Sequence, residues 1–167
     1  SGLLQDLTHI RYETRESISA FLDAHSDAST ADKYTGLNRT MQDAASIIYG
    51  TELNGDQKVK ISQQLNGLLA ERKALMGLHR AGFTKSRFAT PTEDAFKGVD
   101  MYAAVAGYEL PLQIRSSSGR EARLSIEQSK IPVVRVPTHI SRGPFNMNKP
   151  EINRLSEFVA SNLREVA

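Results

Sequence analysis

At 167 residues with 40% apolar side chains, the chain can fill one core, or a compact domain with a helical extension. It has no cysteine, which excludes disulfides, thiol nucleophiles and thiolate metal sites and fits a reducing compartment such as the cytoplasm; its four scattered histidines make no zinc pattern. No run approaches the roughly 20 apolar residues of a membrane span, and the N-terminus lacks a signal-peptide pattern, so the sequence predicts no membrane association.

The net charge of +2 is unevenly shared. Residues 1–55 hold four Lys/Arg against eight Asp/Glu, a balance of −4, and residues 56–167 hold seventeen against eleven, a balance of +6. The basic part suits a polyanionic partner, because Lys and Arg beside phosphates release counterions. A solvated basic surface has the same composition.

Leu3, Leu4, Leu7, Ile10, Ile18, Phe21 and Leu22 recur at helical spacing, and Asp23 to Ser29 reads as a loop. Ser29 or Thr30 caps a second predicted helix with Tyr34, Leu37, Met41, Ala44, Ala45 and Ile48 as its stripe, ending at Gly50. Asn54-Gly55 is the expected boundary between a helical segment, 1–55, and an α/β core, 56–167. A third helix over 56–80 carries Val59, Leu65, Leu68, Leu69, Leu75 and Met76 and stops at Gly82.

Beyond Gly82 the period becomes that of strands. Residues 83–89 alternate weakly, and Pro91 closes them. Met101 to Val105 and Tyr108 to Arg115 then read as a hairpin, with Gly107 supplying the positive φ of its turn. Folding this hairpin returns Asp100 toward Gln113 and Arg115, which share one face while Leu112 and Ile114 take the other. Glu121 to Gln128 reads as a short helix, Ile131 to Val136 as a strand with Pro132 at its start or edge, and Thr138 to Pro150 as a surface loop. A final helix carries Ile152, Leu155, Phe158, Val159 and Leu163. The expected fold is α/β (α+β), a small mixed sheet flanked by helices.

Glu71, Ala81-Gly82-Phe83, Gly98-Val99-Asp100 and Gln113-Ile114-Arg115-Ser116-Ser117 together resemble the motif of the PD-(D/E)XK nuclease superfamily. The resemblance covers about residues 65–137. It implies a restriction-endonuclease-like fold and metal-dependent cleavage of DNA or RNA. Asp100 would anchor Mg²⁺ or Mn²⁺, with the Gln113 amide oxygen and the Ile114 carbonyl as further ligands. Arg115 would stabilise the phosphoryl transition state, and Glu71 would add an acid. Hard divalent cations favour such oxygen ligands and activate water for phosphodiester hydrolysis. This chain departs from the motif in having Gln113 for Glu and Arg115 for Lys. Arg offers charge and a bidentate phosphate contact but cannot abstract a proton.

Other readings stand beside this one. Arg115 suits a structural ion pair with Asp100, which makes the domain a catalytically degenerate module that binds nucleic acid or protein. Glu93 and Asp94 compete with Glu71 for the acid's role, or cap a short helical bend. His79 and His139 lack evident partners. Arg120, Arg123, Lys130, Arg135 and Arg142 are placed to follow a phosphate backbone or to form a solvated face. The two N-terminal helices cover a sheet or dock a protein partner. The Ser1-Gly2 start without an initiating Met suits a piece of a larger effector or toxin.

Overall fold

The computed structural model describes residues 15–126 and 131–166. Its predicted helix positions Leu3, Leu4, Leu7 and Ile10, and Glu127, Gln128 and Lys130, lie outside the described residues. The chain is mixed α/β and divides into two compact units, one ending at Leu68 and one running from Leu69 to Ala167. Among the described residues no helix is long and apolar enough to cross a membrane.

The first unit is helical. Residues 15–24 form α1, Thr30–Tyr49 form α2, and α3, Gly55–Arg80, begins here and continues into the second unit. Ser29 caps α2 by accepting from the Asp32 N–H, and Gly50 closes it. Asn54 and Gln57 exchange side-chain and backbone hydrogen bonds at the start of α3, so the predicted boundary dipeptide is a helix cap. Leu37, Met41 and Ala45 of α2 are buried, whereas Ile48 and Val59, both expected in apolar stripes, are exposed. Two polar contacts, Tyr34 to Asn66 and Ser62 to Asn38, join α2 to α3.

The second unit is built on a sheet of order β1-β2-β3-β5-β4. Its strands are β1 (Arg87–Phe88), β2 (Met101–Val105), β3 (Tyr108–Ser117), β4 (Arg123–Ile126) and β5 (Pro132–Pro137). A short β6 (Arg164–Glu165) pairs with the start of β3, on the edge that β5 occupies farther along. Among the described strands β3 and β5 run parallel, and the other pairs are antiparallel. The predicted hairpin is present, with Gly107 at φ 80° between β2 and β3.

Leu110, Leu112 and Ile114 of β3 alternate into the core with Met101, Ala103, Val134 and Val136. They meet Ala70, Ala74 and Leu78 of α3 and Leu155 and Val159 of α5 (Lys149–Asn162). Each inward β3 residue therefore leaves Pro111, Gln113 and Arg115 on the outward face.

Three sequence expectations need correction. The short helix over 121–128 is contradicted, because Arg123–Ile126 is strand β4, laddered on β5. That segment lacks a strong period of its own, and pairing to a neighbour overrides weak local preference. The strand expected over 83–89 shrinks to Arg87–Phe88, while Pro91–Lys97 forms a helix, α4, under a Thr90–Glu93 capping box. The loop 138–150 carries buried Thr138, Phe145 and Met147 and a 3-10 turn at Ile140–Arg142, so it is not wholly a surface loop.

Candidate functional site

Asp100 stands one residue before β2. Its N–H donates to Leu112 O at 2.9 Å and its carbonyl accepts from Ala89 N at 3.0 Å, which fixes the backbone between two neighbouring segments. Gly98, at φ 65°, turns the chain out of α4 so that Asp100 can join that ladder. Met101 next to it faces the core, so the Asp100 side chain takes the outward face, together with Gln113 and Arg115.

The Asp100 carboxylate is almost wholly buried, with 7% of the side chain exposed, and its Oδ2 accepts from Ile114 N at 2.8 Å and from Arg115 Nη1 at 3.0 Å. Arg115 Nη1 also donates to Ile114 O at 2.9 Å. The two side chains thus satisfy both backbone groups of Ile114 just where the β2 ladder ends, a place where unpaired N–H and C=O groups are costly. Arg115 itself is 54% exposed at the side chain, and its Nε and Nη2 make no hydrogen bond among the described residues. Gln113 donates from Nε2 to Gly98 O at 2.9 Å. A carbonyl can only accept, so the amide nitrogen faces Gly98 and Oε1 remains for another donor or a cation.

The fold therefore gathers Asp100, Gln113, Ile114 and Arg115, while Glu71 is buried on α3. Glu71 is 1% exposed on α3, the helix that covers the core face through Ala70 and Ala74, and it has a partner of its own. It shares no hydrogen bond with Asp100, whose contacts are those given above. Glu93, the competing acid, is held by Arg87 through two contacts of 2.9 and 3.3 Å and by the Thr90 N–H. The Arg87 guanidinium, then the Thr90 N–H, pull the Glu93 carboxyl down to about 2. Arg87 also lies 4.5 Å over the Tyr102 ring. Asp94 likewise has a partner.

A divalent cation at this site would take Asp100 Oδ2, Gln113 Oε1 and the Ile114 carbonyl. Arg115 Nη1 donates to both the first and the last of these oxygens, so an ion on either would compete with the guanidinium. Among the described residues, no three His, Asp or Glu side chains gather where they could hold a metal ion.

Of the remaining candidates, Arg120 is exposed in the turn after β3, Arg123 lies on β4 and Arg135 on β5, where it donates to Ser125 Oγ at 3.1 Å. Arg142 is exposed in the 3-10 turn, and Lys130 is outside the described residues. His79 Nε2 meets Ser86 O at 2.9 Å, and His139 Nδ1 meets the Ser141 hydroxyl at 2.7 Å, so both have local partners.

Two buried charged residues were not foreseen. Lys73 on α3 is fully buried and donates from Nζ to Pro137 O at 3.0 Å and Arg142 O at 3.4 Å. Burial pushes its ammonium below the usual lysine range, and the nearby Glu151 carboxylate resists that shift. Glu151 on α5 accepts from Ala122 N at 2.8 Å and, in its capping box, from Asn148 N at 3.0 Å. Asn148 three residues before Glu151 was a readable cap signature; nothing local marks Lys73 for burial. Scans against protein-family models, curated proteins and solved structures return no match to this chain.

Proposed function

We propose that this chain is a divergent nuclease-like domain that grips a nucleic-acid phosphodiester with Arg115 and has little or no hydrolytic activity. The observation that carries the reading is Arg115 Nη1, which bridges the Asp100 carboxylate and the Ile114 carbonyl and so puts a fixed positive charge where the PD-(D/E)XK resemblance calls for a metal. One nitrogen anchors the guanidinium, and its Nε–Nη2 edge remains for the parallel contacts that Arg makes with phosphate oxygens. A guanidinium offers charge and orientation without lowering the pKa of a bound water, which favours binding over hydrolysis.

The test is to mix single- and double-stranded DNA and RNA with the protein in Mg²⁺ and in Mn²⁺, comparing wild type with Asp100→Ala, Arg115→Lys and Arg115→Gln. We expect no metal-dependent cleavage by wild type, and metal-free binding that Arg115→Gln weakens by about tenfold, the loss of one charge-assisted contact pair. Metal-dependent cleavage by wild type that vanishes in Asp100→Ala would overturn this reading and establish a nuclease with Asp100 as its anchor.

A second reading, attachment to a protein partner through the first unit, is favoured by Ile47, Ile48 and Val59, which expose apolar side chains near the α2–α3 turn. Ile47→Asp with Val59→Lys would then abolish capture of that partner and leave nucleic-acid binding unchanged.

A further inference from the structure

Gln113 and Arg115 are two residues apart on the outward face of β3, about 6.6 Å from one another along the strand. Both reach the segment 98–100, Gln113 through the Gly98 carbonyl at 2.9 Å and Arg115 through the Asp100 carboxylate at 3.0 Å. What each leaves free is complementary. Arg115 keeps its Nε–Nη2 edge, a pair of donors. Gln113 keeps Oε1, an acceptor, because the Gly98 carbonyl can only accept and so takes the amide nitrogen. Gly98, at φ 65° where α4 ends, holds that orientation: a Cβ added to it would lie 3.5 Å from Gln113 Nε2, so the amide packs directly on the glycine. Gln113 is partly exposed and Arg115 more so.

The backbone of DNA offers acceptors alone, in its phosphate and sugar oxygens. The backbone of RNA adds one donor, the 2′-hydroxyl, on the sugar carbon next to the one that carries the 3′-phosphate. A donor edge and an acceptor on one strand face therefore match a phosphate and the hydroxyl beside it. Against a deoxy sugar, Gln113 Oε1 would give up water and gain no donor in return, which counts against DNA.

We propose that this site reads the sugar: Arg115 binds a phosphate while Gln113 Oε1 accepts from the 2′-hydroxyl of the same nucleotide, so that the ligand is RNA rather than DNA. The inference rests on the phosphate grip of Arg115 proposed above, and it adds Gln113 as the residue that sets specificity.

The experiment is fluorescence anisotropy of the full chain, without metal, on labelled uridine oligomers of one length that differ at the 2′ position: hydroxyl, hydrogen, fluorine or O-methyl. Fluorine and O-methyl keep the sugar in its RNA-like pucker and have no O–H to donate, so they separate the hydrogen bond from the shape of the strand. We expect the hydroxyl oligomer to bind about five- to tenfold more tightly than the other three, the worth of one hydrogen bond. Gln113→Leu should bring that ratio to about one, and Arg115→Gln should weaken all four oligomers by a similar factor. Equal binding of the hydroxyl and deoxy oligomers, a fluoro oligomer as tight as the hydroxyl one, or a ratio that survives Gln113→Leu would overturn the inference. If any of these is found while Arg115→Gln still weakens binding, the Arg115 site stands without sugar selection. Indifference of every oligomer to Arg115→Gln would remove the phosphate grip and the sugar reading with it.

Discussion

The Asp100 carboxylate closes a gap in the sheet as well as holding Arg115. Asp100→Ala strips the Ile114 N–H of its acceptor where little water reaches, and we expect a loss of about 1–3 kcal/mol in urea unfolding. Arg115→Ala should cost less than this, because its half-exposed pairing is worth little in water. Equal losses in the two variants would show that the ion pair, rather than the backbone contact, carries the stability. Lys73 gives a pH signature of the same sign as that of a paired acid, but in an alkaline window. Its folded pKa lies below the unfolded value of about 10.4. Between those two values the unfolded chain binds more protons, so stability gains with rising pH through that window. Wild type should therefore gain on Lys73→Met in urea titrations taken from neutral pH toward 10, and a flat difference would refute the burial effect. The Asp100–Arg115 meeting was legible because Gly107 fixes a hairpin whose register follows by counting. The burial of Lys73 and Glu71 was not, because helical spacing identifies an apolar face without saying which charged neighbours the rest of the fold will cover.

At the level of elements, α4 was legible as a short helical bend capped at Glu93 and Asp94, but its seven residues were too few for a helical period to show its extent. Thr90→Ala removes the acceptor for the Glu93 N–H, and we expect a loss of about 1 kcal/mol in thermal or urea unfolding. The same capping carboxylate is held at about 2, below its ordinary 4.5. Its contribution is complete above the ordinary value and fades as pH falls through the folded one, so Glu93→Gln should lose its disadvantage against wild type in acid. Strand β4 was misread for the reason that β5 was read correctly. Ile131 to Val136 is a dense β-branched run, which announces a buried strand, whereas 123–126 is an edge segment of mixed polarity whose conformation comes from its partner.

For the whole molecule, a mixed α/β class follows from the order of periods along the chain, but the parallel contact between β3 and β5 and the path between those strands do not. Parallel neighbours need a connection that crosses over, and here it includes β4, which then pairs on the far side of β5. The core that results is sensitive at its centre. Leu112 is fully buried between β2 and the covering helices, and Leu112→Ala should cost about 2–5 kcal/mol, read as a shift of the urea midpoint at unchanged slope. Against a typical total of about 5–15 kcal/mol, that is enough to leave a measurable unfolded fraction in buffer.

Asp100 and Arg115 are only 15 positions apart, and the turn at Gly107 lies between them. Closing so short a loop takes little chain entropy, while the β3–β5 pairing must wait for the chain to travel through β4 and return. The polar pair should thus be assembled in the transition state for folding, ahead of the sheet around it. In a chevron analysis, Asp100→Ala would slow refolding, and Val136→Ala on β5 would mainly hasten unfolding.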